Sequence, residues 1–166
     1  MTDVVDAATR SRMMSGIRGV DTKPEWLVRR GLHRQGLRYR LHDRTMPGRP
    51  DLVFPKHGVV LFVHGCFWHG HDCHLFKWPS TRRGFWKEKI GRTQERDLDN
   101  LTALDAAGWR VLRIWECALK GRGKLPLDTV IQSADRWLKS SEPFAEIRGT
   151  TSTAAQEPNG DEEPLP

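Results

Sequence analysis

No apolar run in this 166-residue chain approaches the roughly 20 residues needed to cross a bilayer. The N-terminus, MTDVVDAATR, also lacks the apolar segment of a secretory signal. A cytoplasmic protein working away from membranes is expected. Cysteine is scarce: the three residues are Cys66, Cys73 and Cys117. An odd count in a reducing compartment points away from a disulfide framework and towards metal ligation, a nucleophile or core packing. No internal repeat is detectable, and a chain of this length suits one domain with a core of its own. Acidic charge is thinly spread until Ser141. From there Glu142, Glu146, Glu157, Asp161, Glu162 and Glu163 face only Arg148, a net of −5 within an overall +6, which leaves +11 on residues 1–140. So basic a body points to a polyanionic partner. Large apolar groups are nearly missing from 141–166, and a disordered acidic tail is expected there.

Residues 1–20 read as a basic N-terminal arm, with Arg10, Arg12 and Arg18 around Met13 and Met14. Thr22 followed by Glu25 forms a capping box with Pro24 in the first turn, so a helix begins at Thr22 and stops at Gly36. Arg38–Leu41, Asp51–Phe54 and Val59–Val63 read as strands, the last apolar throughout and therefore central and buried. A long helix is predicted over Phe85–Ala107, a strand over Arg110–Trp115 and a helix over Leu127–Leu138. Residues 21–140 are thus one α/β domain, a small mixed β-sheet flanked by helices.

The densest chemistry lies in FVHGCFWHGHDCH, residues 62–74, with four histidines and two cysteines. Cys66, His71 and Cys73 follow the buried strand closely, and Cys117 follows another strand. If the two strands are neighbours, three thiolates and one imidazole complete a closed tetrahedral Cys3His zinc shell, which is structural rather than catalytic. His69 or His74 could replace His71 in that set.

His64 and His69 then remain for other work. Asp51, in GRPDLVF, starts a strand near the end of Val59–Val63, the way restriction-type nucleases hold Mg²⁺ against a phosphate. The second-strand acid and lysine usual there are replaced by Val63, His64 and Gly65, so the Val63 main-chain carbonyl becomes the second oxygen donor and histidine the candidate general base. Glu25 is accounted for by its capping box and is also an acid available to the site. Asp97 shares an apolar stripe with Ile90, Gln94, Leu101 and Leu104, and a carboxylate so placed needs a partner or a metal. Phe67, Trp68, Trp78, Phe85 and Trp86 alternate with Lys77, Arg82, Arg83, Lys87, Lys89 and Arg92, a pattern suited to neutralising phosphates while inserting flat rings between bases.

Several of these segments together, TRSRMMSGIRGVDTKPE, PGRPDLVF, HGCFWHGHDCHLFK, the FWKEKIGR…ERD run and GWRVLRIWECAL, closely resemble the very short patch repair (Vsr) DNA mismatch endonucleases of bacteria, from about Asp6 to Lys139. The resemblance implies a restriction-endonuclease-like core and a Mg²⁺-dependent nick 5′ to the thymine of a T:G mismatch in double-stranded DNA. It also implies a functional link to a cytosine-5 DNA methyltransferase, whose deaminated product is repaired, possible mismatch-repair partners and a monomeric enzyme. Asp51 and the Val63 carbonyl match Mg²⁺ ligands. His64, His69, Glu25 and Asp97 match residues that hold metal-bound water or assist proton transfer, with His69 favoured as general base. Cys66, His71, Cys73 and Cys117 match the zinc ligands, Phe67, Trp68 and Trp86 an aromatic wedge entering from the major groove, and Met14 and Lys89 contacts near the mismatch. Val63, Gly70, Asp72 and His74 depart from the family pattern. The competing readings are a less selective DNA endonuclease of the same fold and a non-catalytic zinc-stabilised DNA-binding module.

Overall fold

Valine and leucine at 59–61 leave this stretch no face that favours water, and it forms the middle of the sheet. In the computed structural model, which describes residues 6–15 and 20–151, strand β3 (Val59–His64) pairs antiparallel with β2 (Leu52–Phe54), which in turn pairs antiparallel with the two-residue β1 (Arg40–Leu41). On its other side β3 runs parallel to β4 (Arg110–Trp115), and β4 parallel to β5 (Phe144–Ile147), giving a five-stranded mixed sheet in the order β1-β2-β3-β4-β5.

The period of two along each strand divides the core into two layers. Val59 and Leu61, with Leu52, Phe54, Leu112 and Ile114, pack against α2 (Lys23–Arg34) and α4 (Leu127–Leu138). Val60 and Phe62, with Val53 and Val111, turn to the opposite face and meet Leu104 of the long α3 (Arg83–Ala106). Alternation therefore sends His64, at the end of β3, to the α3 side. The two helices of the first layer approach closely: a Cβ on Gly31 of α2 would lie 2.4 Å from Ile131 Cδ1 of α4, so a side chain here would force Ile131 to move.

Helix α2 starts where the capping box placed it. The Glu25 N–H donates to Thr22 Oγ1 at 3.4 Å, while the Glu25 carboxylate accepts from the Asp21 N–H at 3.0 Å and the Thr22 hydroxyl at 3.3 Å. Its last turn ends before Gly36, which takes φ +86°. The basic arm contains a helix of its own, α1 (Ala7–Ser15), begun by the Asp6 carboxylate accepting from the Thr9 N–H at 2.7 Å. Met14 falls on α1, but its side chain lies outside the described residues.

The expectation of a disordered tail from 141 is overturned for its first part. Phe144–Ile147 forms β5, held by the ladder to β4 and by the Arg113–Glu146 ion pair at 3.0 Å. Sheet pairing satisfies a backbone whose composition alone offered little to bury. Residues 152–166 lie outside the described set.

Candidate active site and metal centre

Asp51 immediately precedes β2, and its Oδ2 accepts a 2.7 Å hydrogen bond from the Val63 N–H. The N–H and C=O of one strand residue emerge on the same edge, so the Val63 carbonyl faces the Asp51 side too. Both border a cleft of about 970 Å³ that also takes in Glu25, His42, His64, His69 and Asp97. Burial, with the neighbouring Glu25 charge adding, pushes the Asp51 carboxyl up to about 7, against the pull of the Val63 N–H and His42. The Asp51 carboxylate and the Val63 carbonyl, with the Glu25 carboxylate lining the same cleft, are hard oxygen donors that suit a divalent cation on chemistry.

His64 is buried, and desolvation pushes it down to about 2, so it is neutral at every physiological pH. Its ring stacks on that of His69, centroids 3.7 Å apart and planes 5° off parallel. His69 Nδ1 lies 2.5 Å from Asp97 Oδ2 on α3. The Gln94 amide donates to the carbonyls of His69 and Gly70 at 3.3 and 3.4 Å, so one face of α3 holds both the ring and its loop. The acid in the apolar stripe thus has a partner. A carboxylate on Nδ1 fixes the neutral ring with Nδ1 protonated, leaving Nε2 free to accept a proton. Asp97→Asn is expected to keep the fold and slow turnover by about tenfold, because the amide can orient the ring but cannot balance the imidazolium charge. Unchanged single-turnover rates at saturating DNA would refute that role.

On the far side of the same loop, the metal-ligand atoms of Cys66, His71, Cys73 and Cys117 lie within 4.8 Å of one another. His71 Nδ1 stands 3.5 Å from Cys66 Sγ and 3.6 Å from Cys117 Sγ. Tetrahedral zinc, with bonds near 2.3 Å to sulfur and 2.0–2.1 Å to nitrogen, requires a sulfur–nitrogen edge of roughly 3.6 Å, so the group fits the ion. Burial, together with the other thiols, raises the Cys66 thiol, and burial raises that of Cys117. Three thiolates need a cation among them. His71 is held below its usual range by burial first and the Arg148 charge next, so it stays neutral and able to ligate. Its ring stacks on Trp115 at 3.9 Å. Of the alternatives, His69 is engaged by Asp97, and His74 Nε2 instead accepts from the Gly123 N–H at 3.5 Å.

Phe67 and Trp68 sit between Cys66 and His71 on one loop, and Trp86 comes from α3. Their centroids lie 5.2 Å (Phe67–Trp68), 5.3 Å (Phe67–Trp86) and 6.1 Å (Trp68–Trp86) apart, and the Lys89 ammonium stands 5.6 Å from the Trp68 ring and 5.5 Å from Trp86. All three rings are partly exposed, so this cluster is not core packing.

Two site residues carried no sequence signal. His42 reaches Asp21 Oδ1 at 3.3 Å and Glu25 Oε2 at 3.8 Å, while its N–H donates to the Asp51 carbonyl. Glu116 Oε2 accepts from the Cys66 N–H at 3.1 Å, fastening the metal loop to the end of β4. Neither stands in a motif, and only the pairing of strands brings them to the cleft.

A cleft that can bind a divalent cation, accept a proton from water and present rings and cations at its mouth belongs to a hydrolase of nucleic-acid phosphodiesters. Sequence comparison narrows that class. The family model "DNA mismatch endonuclease Vsr" matches residues 2–75. The DNA mismatch endonuclease Vsr of Escherichia coli (strain K12) is 46% identical over 147 residues, covering 89% of this chain and 94% of that protein. The type II nicking enzyme V.XorIIP of Xanthomonas oryzae pv. oryzae is 46% identical over 125 residues, 75% of this chain and 92% of its own length. V.NmeAIP of Neisseria meningitidis, another type II nicking enzyme, is 45% identical over 122 residues, 74% and 87% of the two chains. The chain belongs to the Vsr DNA mismatch endonuclease family.

Proposed function

We propose that this enzyme nicks one strand of double-stranded DNA 5′ to the thymine of a T:G mismatch, starting very short patch repair of deaminated 5-methylcytosine. The observation that carries the reading is that the Asp51–Val63 corner and the His69–Asp97 pair share one cleft, with Phe67 and Trp68 of the aromatic cluster on the loop that carries His69. The domain is read as a restriction-endonuclease-like core spanning the sheet and its helices, working as a monomer beside a cytosine-5 methyltransferase.

Asp51 and the Val63 carbonyl would hold Mg²⁺, which supplies positive charge to the phosphate oxygens as negative charge develops there. Glu25 and His64, which line the same cleft, orient water there. His69 Nε2 takes the proton of the attacking water, and Asp97 steadies the imidazolium that results. The Cys66, His71, Cys73 and Cys117 cluster would hold structural Zn²⁺ and thereby fix the loop that carries Phe67 and Trp68.

Mismatch choice follows from deformation. Driving Phe67, Trp68 and Trp86 into a duplex costs on the order of a few kcal/mol per unstacked step, and a T:G wobble pair resists least. Lys89, among these rings, meets the phosphates or the lesion, and Met14 on the basic arm approaches from the minor groove.

The test is a denaturing gel of end-labelled duplexes, matched or with one T:G pair in several methylation contexts, with and without Mg²⁺. One nick 5′ to the mismatched thymine, dependent on metal, is the expected result. Equal cutting of matched DNA would support the less selective endonuclease, and tight binding with no cut the non-catalytic module.

A further inference from the structure

The segment that leaves β5 behaves unlike a tail. Three successive residues after Ile147 bond to the sulfur cluster or to the loops beside it. The Arg148 guanidinium donates to the Asp72 carbonyl at 2.6 Å, between the ligands His71 and Cys73. The Gly149 N–H points at Cys117 Sγ, 3.3 Å away. The Thr150 N–H donates to the Gly123 carbonyl at 2.8 Å, beside the turn where His74 rests. Gly149 has no space for a side chain, since a Cβ there would lie 2.3 Å from the Cys117 carbonyl oxygen and 2.7 Å from that of Gly123.

We infer that residues 148–150 form a clasp that retains the zinc ion and so positions the aromatic wedge. The inference rests on the zinc reading above. Its logic is that a metal leaves when its loops part: Arg148 ties down the loop bearing His71 and Cys73, and Gly149 ties down the strand end bearing Cys117. An N–H aimed at a thiolate also offsets part of its charge, strengthening the ligand set without occupying a coordination position. Because Phe67 and Trp68 lie between Cys66 and His71, zinc loss would unseat the wedge. Arg148 and Gly149 are therefore positioning residues, acting through the Asp72 carbonyl and the Cys117 sulfur.

The experiment measures zinc release from the zinc-loaded full chain to an excess of a chelating dye, at a temperature well below melting. Arg148→Ala, at an exposed side chain, is expected to release zinc about tenfold faster, the scale of one lost charge-assisted hydrogen bond. Arg148→Lys, which still donates to a carbonyl, should stay close to the unaltered rate, and Gly149→Ala should exceed Arg148→Ala. Mismatch nicking should fall in step with zinc and return when zinc is added back, and the contrast between Arg148→Ala and Arg148→Lys in release rate, at unchanged melting of the zinc-loaded chains, separates the clasp from general destabilisation. Wild-type release from both Arg148→Ala and Gly149→Ala overturns the clasp alone. Should Gly149→Ala fail to fold, Arg148→Ala alone decides. An unaltered chain that holds no zinc at all overturns both the clasp and the zinc reading beneath it.

Discussion

Asp51→Ala is expected to bind a T:G duplex as tightly as the unaltered enzyme and to nick it at least about a thousandfold more slowly, since a metal-held phosphate is worth several kcal/mol in the transition state. Binding survives because the basic face and the ring cluster are untouched, and removing a negative charge from beside a phosphate does not weaken contact. The variant has a second signature. In the metal-free fold the Asp51 carboxyl sits near 7, against an ordinary 3.8, because burial and Glu25 disfavour its charged form. The folded state therefore holds this proton more tightly than the unfolded chain, so stability falls as pH rises from about 4 to 7 and the full penalty stands above 7. Alanine removes the penalty: at pH 8 without Mg²⁺ the variant should melt higher than the unaltered protein, and at pH 4 the gap should close. Added Mg²⁺ should raise the melting temperature of the unaltered enzyme more than that of the variant. Retained nicking with a retained metal response would sink the assignment of Asp51.

Much of this was legible in the sequence wherever local physics decides. The unbroken apolar run gave the central strand β3, and a final helix expected near Leu127–Leu138 is α4. Asp97 stood out because a carboxylate on an apolar stripe demands a partner, and that partner is His69. β5 escaped because PFAEI is short and edge-like, with Phe144 and Glu146 exposed, and its order comes from a ladder to a strand some thirty residues earlier. His42 and Glu116 escaped for a related reason. Their neighbours in space, Glu25 and Cys66, are far away in sequence, and both hold positions that ordinary polar residues also occupy. Glu25 shows the opposite case: the capping box explained it fully, yet the same side chain also raises the Asp51 carboxyl and borders the cleft.

Cys117→Ser should invert the Asp51 signature, leaving the catalytic groups intact and weakening what holds them. Serine keeps the shape of the side chain but offers zinc a hydroxyl that stays protonated where a thiolate would bind. Structural zinc contributes on the order of 10 kcal/mol or more to folding in small domains. Losing one of four ligands from a site this buried is therefore expected to empty it and to lower the melting temperature by about 10 °C or more. Cys66, whose thiol burial raises, would be left protonated beside Cys73 and an unligated His71, whose ring still stacks on Trp115. The loop bearing Phe67 and Trp68 would then keep its Glu116, Gln94, Asp97 and Arg148 hydrogen bonds but lose the metal that joins it to the end of β4. That predicts a graded loss of mismatch preference below the melting point, with weakened binding, where Asp51→Ala binds fully and does not cut. The check is zinc per protein by atomic absorption alongside thermal melting. Full zinc content in the serine variant would remove Cys117 from the ligand set, whatever the melt shows.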